Sequence, residues 1–207
     1  MRTTFFAALA IGAGLLTASA FAEAPASSRA RISGVVESLA GDTLVMKSTD
    51  NRDLTIALPA NTRITALANR QLSDIRPGDF VGSAAIRGRD GKLHAQEVHI
   101  FPEAMRGTGE GHRAMDRPDQ SMTNATVSVV STIAEAPRGR VLVLNYQGGT
   151  QEIEVGPDVR IVTFVAGNRA LLKPGASVVV SAVTAPDGTL TARNVQAEKD
   201  GVLPLAF

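Results

Sequence analysis

The chain has 207 residues, 44% of them hydrophobic, with no cysteine, no tryptophan and one tyrosine. The missing cysteines exclude a disulfide framework, a lipidated cysteine and a thiolate metal centre. With 21 Lys and Arg against 20 Asp and Glu, bulk charge gives no basis for polyanion binding, which needs a clustered excess of basic residues.

Residues 1–22 read as a secretory signal peptide. Arg2 supplies the positive start, an apolar run from Phe5 to Thr17 follows, and Ala20-Phe21-Ala22 makes a small-x-small cleavage site before Glu23. The run is shorter than the roughly 20 residues a membrane-spanning helix needs, and Gly12 and Gly14 interrupt it. Cleavage near Ala22 predicts a periplasmic mature chain with no membrane insertion. It removes one basic residue, Arg2, and no acid, so 21 − 1 = 20 basic residues face 20 acidic ones. The aromatics left are Phe80, Phe101, Tyr146, Phe164 and Phe207. The core is therefore expected to be aliphatic.

Residues 23–30 read as a flexible mature N-terminus. Six short strands follow, near 31–38, 43–48, 54–58, 63–67, 80–87 and 93–100. Leu44/Met46 and Leu54/Ile56/Leu58 alternate with polar residues at period 2. Gly41-Asp42 and Asp90-Gly91 are hairpin turn signals. Ser73-Asp74-Ile75-Arg76-Pro77-Gly78-Asp79 reads as one helical turn ended by Pro and Gly. In the sixth strand Leu93 and Ala95 are out of phase with Val98 and Ile100, which predicts a β-bulge at Gln96-Glu97.

Residues 101–123 form a connector with no strand period, many charges and three glycines in Gly107-Thr108-Gly109-Glu110-Gly111. A loop this long is either functional or a linker. It holds the sharpest candidate site. Met105, His112, Met115 and Met122 offer thioether and imidazole donors of the kind that suit copper(I). The bland alternative is that the methionines pack the connector onto its neighbours. His94 and His99 are read as surface histidines on the outer face of the sixth strand. The glycine-rich stretch lacks the strand–loop–helix setting and the Lys-Ser/Thr tail of a phosphate-binding loop.

The rest of the chain repeats the first part. At a spacing of 97 positions, Arg63-Ile64 meets Arg160-Ile161, Pro77-Gly78 meets Pro174-Gly175, and Asp90-Gly91-x-Leu93-x-Ala95 meets Asp187-Gly188-x-Leu190-x-Ala192. Matches concentrate on turn residues and alternate apolar positions, as a duplicated β-unit requires. Strands are expected near 126–133, 140–145, 151–155, 160–164, 176–183 and 190–196, with turns at Gly148-Gly149 and Asp187-Gly188 and a second bulge at Arg193-Asn194. The predicted organisation is a first β-barrel module over 31–100, a second over 124–200, and a tail over 201–207. Closure removes the exposed edges that short strands would leave.

The Asp-Gly-x-Leu-x-Ala strands, the turn Ile75-Arg76-Pro77-Gly78-Asp79 and the connector run from Ile100 to Arg113 resemble exported bacterial proteins carrying the domain of unknown function 5666. The resemblance implies two small OB-like barrels in tandem and a periplasmic address. It implies no activity and no cofactor.

The functional expectation is a non-catalytic binding or scaffold module acting on a protein or cell-envelope partner, with the Met/His connector as an alternative metal site. No Gly-x-Ser-x-Gly elbow or other catalytic constellation is present. Too few aromatics remain to stack single-stranded nucleic acid, so nucleic acid is not expected as a partner.

Overall fold

A computed structural model describes residues 28–133 and 136–205. The expected signal peptide, the start of the mature N-terminus and Phe207 lie outside the described residues. The described chain is all-β, with thirteen strands and three short 3₁₀ turns at Leu72–Asp74, Glu103–Met105 and Arg169–Leu171. No helix among them is long and apolar enough to cross a membrane.

The first repeat forms β1 (Ser28–Ala40), β2 (Thr43–Ser48), β3 (Asp53–Ala57), β4 (Arg63–Arg70), β5 (Phe80–Arg87) and β6 (Leu93–Ile100). The connector adds β7 (Gly111–Ala114). The second repeat forms β8 (Gln120–Ile133), β9 (Ala136–Tyr146), β10 (Gly149–Val155), β11 (Arg160–Ala166), β12 (Ser177–Thr184) and β13 (Leu190–Ala197). Gly41, Gly91, Gly148 and Gly188 all take positive φ at the expected turns, a backbone region that favours glycine. Both expected bulges are present. Ala84 pairs with Glu97 while Ala85 pairs with Ala95, so Gln96 is the extra residue. Ser181 pairs with Asn194 while Ala182 pairs with Ala192, so Arg193 is the extra residue.

The strands do not close within each repeat. β1, β2 and β3 close into a five-stranded ring with β12 and β13 of the other repeat, through antiparallel β1–β12 and parallel β13–β3. β8, β9 and β10 close in the same way with β5 and β6, through antiparallel β5–β8 and parallel β10–β6. Self-contained modules over 31–100 and 124–200 therefore do not describe the pairing, and neither does a six-stranded barrel. Each ring takes three strands from one repeat and two from the other. The remaining strand of each repeat, β4 or β11, lies between the rings in the order β6-β11-β4-β13.

The two cores follow the rings. One packs Ile32, Val36, Leu44, Met46 and Ile56 against Val178, Val180 and Val195. The other packs Val81 and Val98 against Val127, Leu142, Leu144 and Ile153. The Pro-Gly turns cross over too. Gly175 N–H donates to Val36 O at 2.9 Å, and Gly78 N–H donates to Val127 O at 2.8 Å. Arg169 reaches back to the β1–β2 turn, donating to Gly41 O and Asp42 Oδ1 at 2.7 and 2.9 Å.

β4 and β11 pair antiparallel, with Leu67 opposite Phe164. These residues occupy equivalent places in the two repeats, so the pseudo-two-fold axis passes between them. The tail joins this central layer: Val202 and Leu205 pack on Leu67 and Val162. Leu205 N–H donates to Gln196 Oε1, and Arg31 Nη2 donates to Leu205 O at 2.7 Å.

The connector is more ordered than its composition suggests. β7 pairs with β8 beside β5, placing His112 opposite Thr123. Glu110 Oε1 accepts from Gln147 N–H at 3.0 Å, and Asn124 Nδ2 donates to Thr108 O at 3.0 Å. The glycine-rich stretch is therefore tied to the second ring.

Because neither repeat owns a complete ring, residues 28–108 expressed alone should not give a folded monomer. Sedimentation with circular dichroism is expected to return either an unfolded chain or a β-rich dimer. A monomer with the parent's cooperative melt would contradict the exchanged pairing.

Candidate functional site

The seam between the rings encloses a cavity of about 460 Å³. Its walls come from β1, β12 and β13 of one ring and β6 and β8 of the other. Arg63, Thr65 and Phe164 of the central pair also line it, as do Met105, Arg113 and Leu205.

Sheet register sets the residues on one wall. Arg31 pairs with Ser181, Ser181 with Asn194, and Asn194 with Arg63. Directly opposed residues in a ladder share a face, so this row carries an arginine at each end toward the cavity. Arg193, the bulge residue, lines the cavity beside them, and Arg113 of β7 adds a fourth guanidinium. No Asp or Glu is among the lining residues.

The matching row of the other ring runs Arg160, Glu97, Ala84, Met122, Arg113. There Arg160 Nη1 donates to Glu97 Oε2 at 3.0 Å and a second guanidinium nitrogen donates to Leu203 O. Arg63 is the repeat counterpart of Arg160, but the position of Glu97 is taken by Asn194. The side chains of Arg63 and Arg193 have no hydrogen-bond or ion-pair partner among the described residues. One carboxylate replaced by an amide leaves one side of the seam electropositive.

The apolar side of the cavity is aromatic. Phe101 and Phe164 stack at 5.3 Å and 21°, and the His99 ring meets both edge-on at 4.8 and 5.5 Å. His99 is 4% exposed, not the surface histidine expected. Its imidazole, on the outer face of β6, is covered by Phe101 and by Phe164 of the central strand β11, a face that a single barrel would have left to solvent. His94, by contrast, is half-exposed. Its Nε2 lies 2.9 Å from Asp90 Oδ2 and its Nδ1 3.7 Å from Glu154 Oε2. The two carboxylates thus face different ring nitrogens, and Lys92 Nζ already donates to Glu154.

Gly82 stands between His99 and Asn124 in its row. A Cβ there would come within 2.0 Å of His99 Nε2 and 2.6 Å of Asn124 Oδ1. The equivalent residue of the other repeat is Val179. The glycine thus makes room for two polar side chains, His99 Nδ1 and Asn124 Oδ1 being buried without partners. Burial, aided by the charge of Arg113, pushes the His99 pKa down to about 4. Burial pushes Glu97 up to about 7, against the pull of Arg160.

The four connector residues expected as metal ligands are divided. Met105 and Met122 line the seam cavity. His112 and Met115 line a separate recess together with Arg87. His112 Nδ1 is within 2.8 Å of Thr123 Oγ1, and its pKa is lowered by burial and then by Arg87. The donors singled out by their residue type line two different recesses.

Residues 146–196 match the family model of a domain of unknown function, DUF5666. No curated protein and no solved structure matches the chain. The DUF5666 match runs from the end of β9 to β13, so it contains strands of both rings and the strand that passes between them. It contributes Phe164, Ser181, Arg193 and Asn194 to the seam cavity. Sequence reading missed Arg31, Arg63 and Arg193 because they are scattered singly along the chain. The one sequence clue was the repeat position where Glu97 becomes Asn194.

Two outcomes follow. Gly82→Ala should cost about 2–3 kcal/mol through overpacking, lowering Tm by about 5–10 °C; an unchanged melt would mean that His99 and Asn124 move aside freely. The second concerns pH. Between the unfolded Glu value of 4.5 and about 7, native Glu97 holds a proton the unfolded chain has lost, so its contribution falls as pH rises. Between about 4 and the unfolded His value of 6.5, native His99 lacks a proton the unfolded chain holds, so its contribution rises. The two oppose each other from about pH 4.5 to 6.5. Urea unfolding of Glu97→Gln should show stability climbing over that window, and His99→Gln should show it falling. Two variants with the parent's pH profile would refute the assignment.

Proposed function

We propose that this protein is an exported, non-catalytic binding module that holds an anionic group of a protein or cell-envelope partner in the seam between its two OB-like rings. The observation that carries this reading is the unpaired Arg63 on a wall with Arg31 and Arg193, in a cavity that no carboxylate lines. A cationic site kept free of internal counter-ions is arranged to receive charge from outside. Export is supported by the pattern of residues 1–22. The non-catalytic reading is supported by the cavity's one buried base: His99 has no nucleophile or carboxylate hydrogen-bonded to it.

A thermal-shift series on residues 23–207 tests the reading, using inorganic phosphate, pyrophosphate, citrate and aryl sulfonates at fixed ionic strength. A ligand present at 100 times its Kd stabilises by about 2.7 kcal/mol, a rise of about 5–10 °C. At least one class should give such a saturable rise, lost in the exposed-site double variant Arg63→Gln/Arg193→Gln. No rise beyond matched chloride, or a rise the double variant retains, would refute it. Saturable copper(I) binding abolished by His112→Ala would instead favour the connector as a metal site.

A further inference from the structure

Within the anion-seat reading, on which this inference rests, the geometry points to a free amphipathic monoanion as the seam's ligand: one carboxylate, phosphate or sulfonate head attached to a compact apolar or aromatic body. The cavity has two chemically distinct sides. On one, Arg31 and Arg63 stand at the two ends of the β1-β12-β13-β4 row, and Arg193, the neighbour of Asn194, lies between them. On the other lie the stacked rings of Phe101 and Phe164 and the thioethers of Met105 and Met122, with Arg113 opposite Met122 in the sheet. An inorganic anion would satisfy the arginines and leave the aromatic wall exposed. An uncharged apolar molecule would cover the rings and desolvate unpaired guanidinium groups, which is costly.

The size agrees. About 460 Å³ falls in the roughly 300–1,000 Å³ range of small-molecule cavities. A second recess of about 490 Å³ adjoins it through Arg31, Ser181 and Arg193 and adds Arg29. Those two shared arginines stand where the spaces meet, which is where the head belongs. The body then extends away from the second recess, toward Phe101 and Phe164. The shape favours a whole free molecule over a lipid held in a bilayer. The aromatic wall lies in the seam between two rings, with Phe101 only 8% exposed, where a flat membrane does not reach.

The test uses residues 23–207 and 1-anilinonaphthalene-8-sulfonate, whose fluorescence reports entry into an apolar site. Saturable binding at one site per chain is expected. Decyl sulfate should displace the probe, while sodium sulfate and decanol at the same concentration should not. Arg63→Gln/Arg193→Gln should weaken binding at least tenfold, with Tm within about 2 °C of the parent. Met105→Glu, which brings a carboxylate to the apolar side, should weaken it similarly. Probe binding that neither variant alters would overturn the inference. Arginine-dependent pyrophosphate binding without probe binding would also overturn it while leaving the anion seat standing. Absence of any anion binding would remove both. Flotation with phosphatidylglycerol vesicles but not phosphatidylcholine vesicles, lost in the double variant, would overturn the free-ligand assignment in favour of a bilayer.

Discussion

The antiparallel pair β4–β11 is the constraint from which the rest of the molecule follows. Each of these strands leaves a ring built by its own repeat's first three strands and delivers the chain to the other ring. With Leu67 opposite Phe164, the two crossings are related by a pseudo-two-fold axis, and every other exchanged contact repeats on both sides of it. The parallel closures β13–β3 and β10–β6, the Pro-Gly turns on Val36 and Val127, and the split cores are all consequences of that crossing. Neither ring can form before both repeats are present, so cooperativity between the halves is built into the connectivity.

The same crossing creates the site. Two independent barrels on a string would meet through outer surfaces evolved for water. Here the outer faces of β6 and β13 are drawn into a shared central layer, which makes residues such as His99 and Gln196 interior. A duplicated chain begins with the same residue at equivalent places on both sides of the axis. Departures from that symmetry mark where the two sides have taken different tasks. Glu97 against Asn194 separates a hydrogen-bonded arginine from a free one. Gly82 against Val179 separates a wall that accommodates His99 and Asn124 from one filled by an aliphatic side chain.

Electrostatics and packing work together in this seam. The Arg160–Glu97 pair is buried on one side and costs desolvation, which is why the Glu97 carboxyl binds its proton up to about pH 7. The opposite side avoids that cost by leaving its arginines at the exposed rim. His99, neutral over the whole physiological range, contributes ring surface to the aromatic wall instead of charge. The cavity thus keeps stacked aromatic rings together with arginines that no lining carboxylate neutralises.

The repeated strands, the turn glycines and both expected bulges were legible in the amino-acid sequence, because each is written in local periodicity over a few residues: Leu44/Met46, Asp90-Gly91, the phase slip between Ala95 and Val98; β7 and the first residues of β1 and β8, in stretches read as connector and flexible N-terminus, were not. The duplication was legible for the same reason. Tertiary structure alone decided which half pairs with which. Two repeats with one hydrophobic pattern satisfy self-closure and exchange equally well, and the period-2 signal carries no information on the partner strand. The seam and its arginines, the burial of His99 and the division of Met105, Met122, His112 and Met115 between two recesses all depend on that choice. They arise from residues far apart in the chain, brought together only when β4 and β11 cross.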